Sequence, residues 1–111
     1  MREFEPLHSI KAIDAFIQEH PLALLFVSKP HCSVCHGLLP QIKQLMGDFP
    51  EIQLGHVDAS EVEKVAGRFH IFTVPVLLLF VEGKESIREA RIVHMDLFQE
   101  KLKKIYENVV K

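Results

Sequence analysis

The fold is decided by residues 22–46, which have the sequence LALLFVSKPHCSVCHGLLPQIKQLM. This stretch begins with a continuous apolar run, Leu22–Val27, which is typical of a β-strand that is buried on both faces. After a short loop, Cys32 and Cys35 open a segment that extends to about Phe49. Its apolar residues recur at the spacing of one helix face: Leu38, Leu39, Ile42, Leu45 and Met46. The two cysteines are therefore predicted to lie where a buried strand passes into a helix.

Two further features define this helix and the one before it. Pro40 cannot donate a hydrogen bond to the carbonyl oxygen of His36, so we expect a kink at this point. Upstream, Ser9 is suited to cap a first amphipathic helix, and His20-Pro21 is expected to end it. The apolar face of that first helix consists of residues at helical spacing: Ile10, Ile13, Phe16 and Ile17.

Downstream of the cysteines the sequence alternates again between strand and helix. Ile52–Val57 is predicted to form a strand that ends before an aspartate. Ser60 followed by Glu63 fits a capping box for a short helix through Ala66. A second continuous apolar run, Val76–Val81, indicates another buried strand.

The last third of the chain predicts a hairpin and a closing helix. Glu82-Gly83-Lys84 is expected to turn the chain into a partner strand, Ser86–Val93. Asp96 is predicted to cap the last helix, whose apolar face consists of Leu97, Phe98, Leu102, Ile105, Tyr106 and Val109. The order of elements predicts an α/β fold, with a central mixed β-sheet flanked by helices on both faces.

Composition limits the classes of function. The chain has 111 residues, which predicts one domain over residues 1–111. Thirteen basic and fifteen acidic residues give a net charge of −2. The sequence has no cluster of basic residues, so nucleic acid is not expected as a partner. The longest apolar runs are far shorter than the ~20 residues that a membrane span needs. No apolar stretch follows Met1-Arg2-Glu3, so we expect a protein of the reducing cytoplasm without a membrane partner.

Cys32 and Cys35 are the only cysteines. As a structural staple they would stabilise the fold by only about 2 kcal/mol, because the loop they close is so short. As a redox pair they are better placed, because free N–H groups and the positive end of a helix stabilise a thiolate at Cys32. Cys35, further into the helix, is then suited to resolve a mixed disulfide.

The chain resembles the thioredoxin family over nearly all of its length. The resemblance rests on the Cys32-Ser33-Val34-Cys35 motif, on Pro40 five residues later, and on Val74-Pro75 just before a strand. The segment Phe80–Lys84 also resembles the strand and turn that follow in the family. The resemblance implies a thioredoxin fold and a thiol–disulfide oxidoreductase that reduces protein disulfides and needs no cofactor or metal.

The resemblance also implies the site and its partners. Cys32 and Cys35 are expected to be catalytic, and Pro75 is expected to be a cis-proline that faces them. Thr73, Val74 and Pro75 would bind substrate, because the backbone of Val74 can pair with an extended segment. The expected partners are proteins that contain disulfides and a dithiol donor, such as an enzyme of the thioredoxin reductase type. A monomer is expected.

The chain departs from the family pattern at several positions around the cysteines. His31 replaces the usual tryptophan, and Ser33-Val34 replaces Gly-Pro, so these residues are expected to tune the site. A protonated imidazole of His31 or His36 would favour the thiolate of Cys32. The family's buried aspartate maps to Phe26. The family's lysine maps to Leu54, and its docking-surface glycine maps to Val93. Independently of the family, the other histidines are expected at the surface or at strand ends: His8, His20, His56, His70 and His94.

Three alternatives remain open at the level of sequence. Cys32–His36 also matches the C-x-x-C-H pattern of haem c attachment, with His36 as an axial ligand. A zinc or iron–sulfur site at Cys32, Cys35 and the flanking histidines would need two further ligands. The third alternative keeps the fold but not the chemistry: a redox-inert module that binds a partner in the Val74-Pro75 groove.

Overall fold

The computed structural model describes residues 2–110, which form five strands and four α-helices. In chain order the elements are β1 (Glu5–Pro6), α1 (Ile10–Glu19), β2 (Leu22–Ser28), α2 (Ser33–Leu45), β3 (Gln53–Asp58), α3 (Val65–Phe69), β4 (Val76–Val81), β5 (Lys84–Ala90) and α4 (Met95–Val109). A single turn of 3-10 helix, Met46–Asp48, continues α2. Within residues 2–110, no helix is long and apolar enough to cross a membrane.

The strands form one mixed sheet in the order β1-β3-β2-β4-β5. The pairs β1–β3 and β2–β3 are parallel, whereas β2–β4 and β4–β5 are antiparallel. Every residue of the central strand β2 is buried, as its continuous apolar sequence predicts. The predicted class, an α/β fold with a mixed sheet between helices, is confirmed.

Two separate apolar cores lie on the two faces of the sheet, because successive side chains of a strand point to opposite faces. Ala23, Leu25 and Val27 belong to the core that α1 and α3 cover. Leu22, Leu24 and Phe26 belong to the core that α2 and α4 cover. This second core also contains Cys35, so the first turn of α2 is fixed directly against the sheet.

The observed helix caps and helix interiors agree only partly with those predicted from the sequence. The Oγ of Ser9 accepts the N–H of Ala12 at 3.0 Å, which confirms the predicted N-cap of α1. Helix α2 continues through Pro40 to Leu45. The carbonyl of His36 that loses its donor is on an exposed residue, where water can solvate it.

Two predicted caps are wrong. The N–H and the Oγ of Ser60 both donate to Oδ1 of Asp58, at 2.8 and 2.6 Å, so Ser60 closes a turn after β3 instead of capping a helix. The helix in this region, α3, begins only at Val65. Helix α4 begins at Met95, so Asp96 lies inside its first turn and not at its N-cap.

The predicted apolar face of α4 is also partly wrong. Phe98 and Leu102 are fully buried, but Leu97 is 51% exposed and Val109 is exposed near the end of the helix. The predicted second hairpin strand is displaced as well. Glu82 and Gly83 both have positive φ, the geometry of a two-residue turn, so Lys84 already pairs with Val81.

Gly55 provides a test of how closely β3 is packed. A Cβ at this position would lie 2.7 Å from Leu7 Cδ1, 3.0 Å from Phe16 Cε2 and 3.2 Å from Leu25 Cδ2. Because all three neighbours are buried, Gly55→Ala should lower the free energy of unfolding by about 1–3 kcal/mol, measured by urea denaturation. The control is Gly67→Ala in α3, where a Cβ meets nothing within 4 Å. We expect it to be neutral or slightly stabilising, and equal losses in the two variants would contradict the packing argument.

Candidate active site

The two cysteines lie at the junction between β2 and α2. Cys32 is the N-cap of α2 and Cys35 is in its first turn. Their Cα atoms are 5.2 Å apart, within the range of a disulfide, and the two sulfur atoms are bonded. This junction forms because the apolar strand ends at Ser28 and a four-residue loop, Lys29–Cys32, precedes the helix.

The two sulfurs have different surroundings. Cys35 is 3% exposed and packs in the core under α2, whereas Cys32 is only partly buried. The backbone N–H of Cys35 donates to Sγ of Cys32 at 3.1 Å. This N–H is one of those that a helix N-terminus leaves without an internal partner, and it would stabilise a negative charge on the Cys32 sulfur. Cys32 is therefore the accessible sulfur and Cys35 the protected one.

The segment before β4 lies beside Cys32. The Val74-Pro75 peptide bond is cis, as the resemblance implies. Pro75 is buried, Val74 is partly buried and Thr73 is exposed. A cavity of about 350 Å³ opens beside the outer sulfur; its lining residues are Lys29, Pro30, His31, Cys32, Ser60 and Val74. The structure thus brings Val74 next to Cys32, whereas Thr73 contributes to a neighbouring cavity.

The predicted tuning residues lie around the cysteines in three different settings. His31 lines the cavity, and Ser33 and Val34 are exposed on the first turn of α2, Val34 by 57%. His36 turns back towards the loop, where its Nε2–H donates to the carbonyl oxygen of Pro30 at 2.6 Å. His36 thereby holds the loop that carries His31 against the start of the helix.

Apolar side chains occupy the two positions where the resemblance implies an acid and a lysine. Phe26 and Leu54 are buried in the same core as Cys35. Neither side chain can accept or donate a proton. Neither of these two side chains can therefore take part in proton exchange at Cys35.

Sequence reasoning missed His56, which was expected at a surface or strand end. It is partly buried on β3 and pairs in register with Phe26; the two ring centroids are 5.3 Å apart. Its Nε2 shares a hydrogen bond of 2.6 Å with Oγ of the buried Ser28. Burial lowers the pKa of His56 below its usual value, an effect that Asp58 partly offsets. Only the strand register, which places His56 on the same face as Phe26, could have indicated this.

The resemblance maps the family's docking-surface glycine to Val93, but the residue with a left-handed backbone lies two positions earlier, at Arg91. Arg91 has φ 66°, in the left-handed region that costs a non-glycine residue about 1–2 kcal/mol. Its backbone N–H donates to the carbonyl oxygen of Pro75 at 2.8 Å. Val93 is instead partly buried against the core that contains Cys35. Arg91 therefore lies beside the cis-proline.

Comparison with known proteins identifies the family. A family model described as Thioredoxin matches residues 7–107. The chain belongs to the thioredoxin family. The thioredoxin-like protein YdfQ of Bacillus subtilis is 49% identical over 106 residues, which cover 96% of this chain and 95% of that protein. Mouse protein disulfide-isomerase A5 is 35% identical over 78 residues, 66% of this chain but only 15% of that protein.

Solved structures agree on the fold. The X-ray structure of Fasciola hepatica thioredoxin superimposes with a TM-score of 0.80 at 20% identity, covering 90% of this chain and 98% of that one. With the cysteine pair at disulfide distance, this thioredoxin family member is a thiol–disulfide oxidoreductase. Within residues 2–110, no three His, Cys, Asp or Glu side chains are grouped so that they could hold a metal ion.

The lowered pKa of His56 predicts how stability depends on pH. Between its folded pKa and its usual value of 6.5, the unfolded chain binds more protons at this residue. The contribution of neutral His56 to the free energy of unfolding is therefore complete above about pH 6.5, and it declines as the pH falls towards the folded pKa. The free energy of unfolding, measured by urea denaturation, should therefore change less between about pH 5.5 and about pH 7.5 in His56→Gln than in the unsubstituted chain.

The control for the loss of an imidazole is His94→Gln, since His94 is exposed and its side chain makes no capping hydrogen bond to α4. Identical pH dependence of the His56→Gln and unsubstituted chains would contradict the role of burial at His56.

Proposed function

We propose that this thioredoxin family member reduces disulfide bonds in other proteins, with Cys32 as the attacking thiolate and Cys35 as the resolving thiol. The observation that carries the proposal is the asymmetry of the pair. Cys32 is accessible and accepts a backbone N–H, whereas Cys35 is buried behind it. A thiolate is the attacking species in disulfide exchange, so the stabilised and accessible sulfur is the one that attacks.

The proposed reaction has two exchange steps. The Cys32 thiolate attacks one sulfur of the substrate disulfide, which forms a mixed disulfide and releases the other substrate sulfur as a thiolate. Cys35 then loses its proton and attacks the Cys32 sulfur, which forms the Cys32–Cys35 disulfide and releases the second substrate thiolate. Two electrons pass from the dithiol to the substrate. A dithiol donor, such as an enzyme of the thioredoxin reductase type, would return the pair to its reduced form.

Substrate binding is proposed at the cis-proline segment. Val74 is beside Cys32, and its backbone can pair with an extended stretch of the substrate as an added strand. Thr73 would border the same stretch. Large apolar side chains are exposed on the neighbouring loops, Phe72 by 91% and Ile92 by 73%, and they offer contact area to an unfolded or extended segment.

The residues that differ from the family pattern would set rate and potential. His31 is proposed to favour the Cys32 thiolate when protonated, since it lines the same cavity. His36 is proposed to act through the loop that it holds. Ser33 and Val34 give the first turn of α2 a different stiffness from Gly-Pro. The proposal includes action as a monomeric single domain in the cytoplasm, where thiols are kept reduced between turnovers.

The order of attack can be tested by trapping. Cys35→Ser removes the resolving thiol, so a protein disulfide substrate should remain attached to Cys32 as a mixed disulfide. Cys32→Ser leaves only the buried Cys35 sulfur, so we expect at least about tenfold less adduct. Non-reducing electrophoresis and intact mass measurement would quantify both adducts after incubation with insulin.

The double variant Cys32→Ser with Cys35→Ser is the control for non-covalent association. Equal trapping by the two single variants would refute the assigned roles. Association of insulin with the double variant, without reduction by the unsubstituted chain, would favour a redox-inert binding module.

A further inference from the structure

We infer that this chain selects disulfides whose cysteine is flanked by acidic side chains, and that Lys29 and Arg91 are the residues that select them. The inference rests on the proposed function, since it concerns the substrate of the same site. Its basis is that Lys29 lines the cavity beside Cys32 and Val74, while the backbone of Arg91 is hydrogen-bonded to Pro75, the residue that follows Val74. Neither residue takes part in the exchange chemistry itself.

Lys29 is part of the groove beside Cys32. It lines the cavity of about 350 Å³ beside Cys32, and it also lines an adjoining cavity of about 250 Å³ that extends to Phe72. Val74 is the other residue that the two cavities share. A substrate segment that runs along Val74 from Cys32 therefore passes Lys29 in both cavities.

The carboxylates near this groove lie outside the cavity that contains Cys32. Asp58 stays ionised, because hydrogen bonds from Ser60 lower its pKa, and Glu61 pairs with His8 at 2.9 Å. Glu63 lines only the outer cavity, the one that extends towards Phe72. The cavity that contains Cys32 is lined by no carboxylate within residues 2–110, and His31 adds positive charge there when it is protonated.

Arg91 is next to the cis-proline. Its N–H is bonded to the carbonyl oxygen of Pro75, so the base of its exposed side chain is next to the cis-proline. A left-handed backbone would accept glycine with less strain, yet the position carries a long cationic side chain. Residues held in such strained conformations cluster at binding sites, because the surrounding structure must enforce them.

Both cations are free to meet a substrate. Neither Lys29 nor Arg91 forms an ion pair with a carboxylate in the described part of the chain. By contrast, Arg68 and Arg88 are each paired with a carboxylate on the protein itself. An acidic side chain about 4 Å from one of these cations in water would be attracted by about 1 kcal/mol, which corresponds to roughly a fivefold gain in affinity per contact.

Three synthetic peptides of equal length would test the selection, with Glu, Gln or Lys on both sides of a single cysteine. Each would be used as a disulfide dimer for the rate of reduction, and with serine in place of cysteine for binding measured by NMR titration. We expect the Glu peptides to react and bind about fivefold better than the Lys peptides at low salt. The preference should shrink in high salt, since exposed charges are screened.

Lys29→Glu and Arg91→Glu should each reduce or reverse this ratio. The matched control is Lys84→Glu, which makes the same change of charge at the far end of β5, about 20 Å along the strand from Arg91. Arg91→Gly is a second variant that relieves the left-handed strain, so its loss of preference could not be assigned to misfolding.

The outcomes separate the inference from the proposed function. Reduction of the Gln peptide reports on the proposed function alone, whereas the ratio of Glu to Lys peptides in the binding titration reports on the selection alone. Equal binding of the Glu and Lys peptides would overturn the inference, as would a ratio that Lys84→Glu lowers as much as Lys29→Glu and Arg91→Glu do. A ratio that falls only in the variants at positions 29 and 91 would establish it.

Discussion

The site depends on the central position of strand β2, which is hydrogen-bonded on both sides and buried on both faces. Its register with the neighbouring strands fixes what surrounds the cysteines. Ser28 pairs with Asp58 on β3, and Val27 pairs with Val76 on β4. The loop that leads to Cys32 therefore emerges between the end of β3 and the beginning of β4. That placement brings Ser60 and Val74 to the same cavity as the sulfur, although they are distant in sequence. A shift of one residue would exchange the two apolar cores and separate these groups.

The elements that the sequence predicts well are those whose signal is the burial of side chains. The continuous apolar runs give β2 and β4, since a strand between two cores must be apolar on both faces. Hydrogen-bonded ends are harder to predict. Serine is a common N-cap residue, but the N–H and Oγ–H of Ser60 both donate to the carboxylate of Asp58. Ser60 therefore forms a turn after β3 instead of a helix cap. The exposure of Leu97 has a different cause. The periodicity of a helix does not show which part of its apolar face the sheet can cover.

For the site, motif and geometry carry different information. The C-x-x-C motif and the proline before β4 indicate the reacting sulfurs and the segment beside them. Neither His56 nor Arg91 could be found in that way, because each depends on a pairing across the sheet. His56 pairs with Phe26. Arg91 directly follows Ala90, the last residue of β5, which pairs with Val76, and its N–H is bonded to the cis-proline. Their positions follow from register, which a single sequence specifies only through the burial of whole strands.

The groups that support the exchange chemistry are largely backbone groups, and this explains why so many side chains around them can differ. The N–H of Cys35 is the donor to the Cys32 sulfur, and the backbone of Val74 is the part that can pair with a substrate. Both depend on the path of the chain, which is shared with Fasciola hepatica thioredoxin at 20% identity. Phe26, at the position where the resemblance implies an acid, leaves that path intact, since it pairs in register with both neighbouring strands. The positions around the sulfurs are thus free to vary in charge, and it is at these positions that members of one fold can come to prefer different substrates.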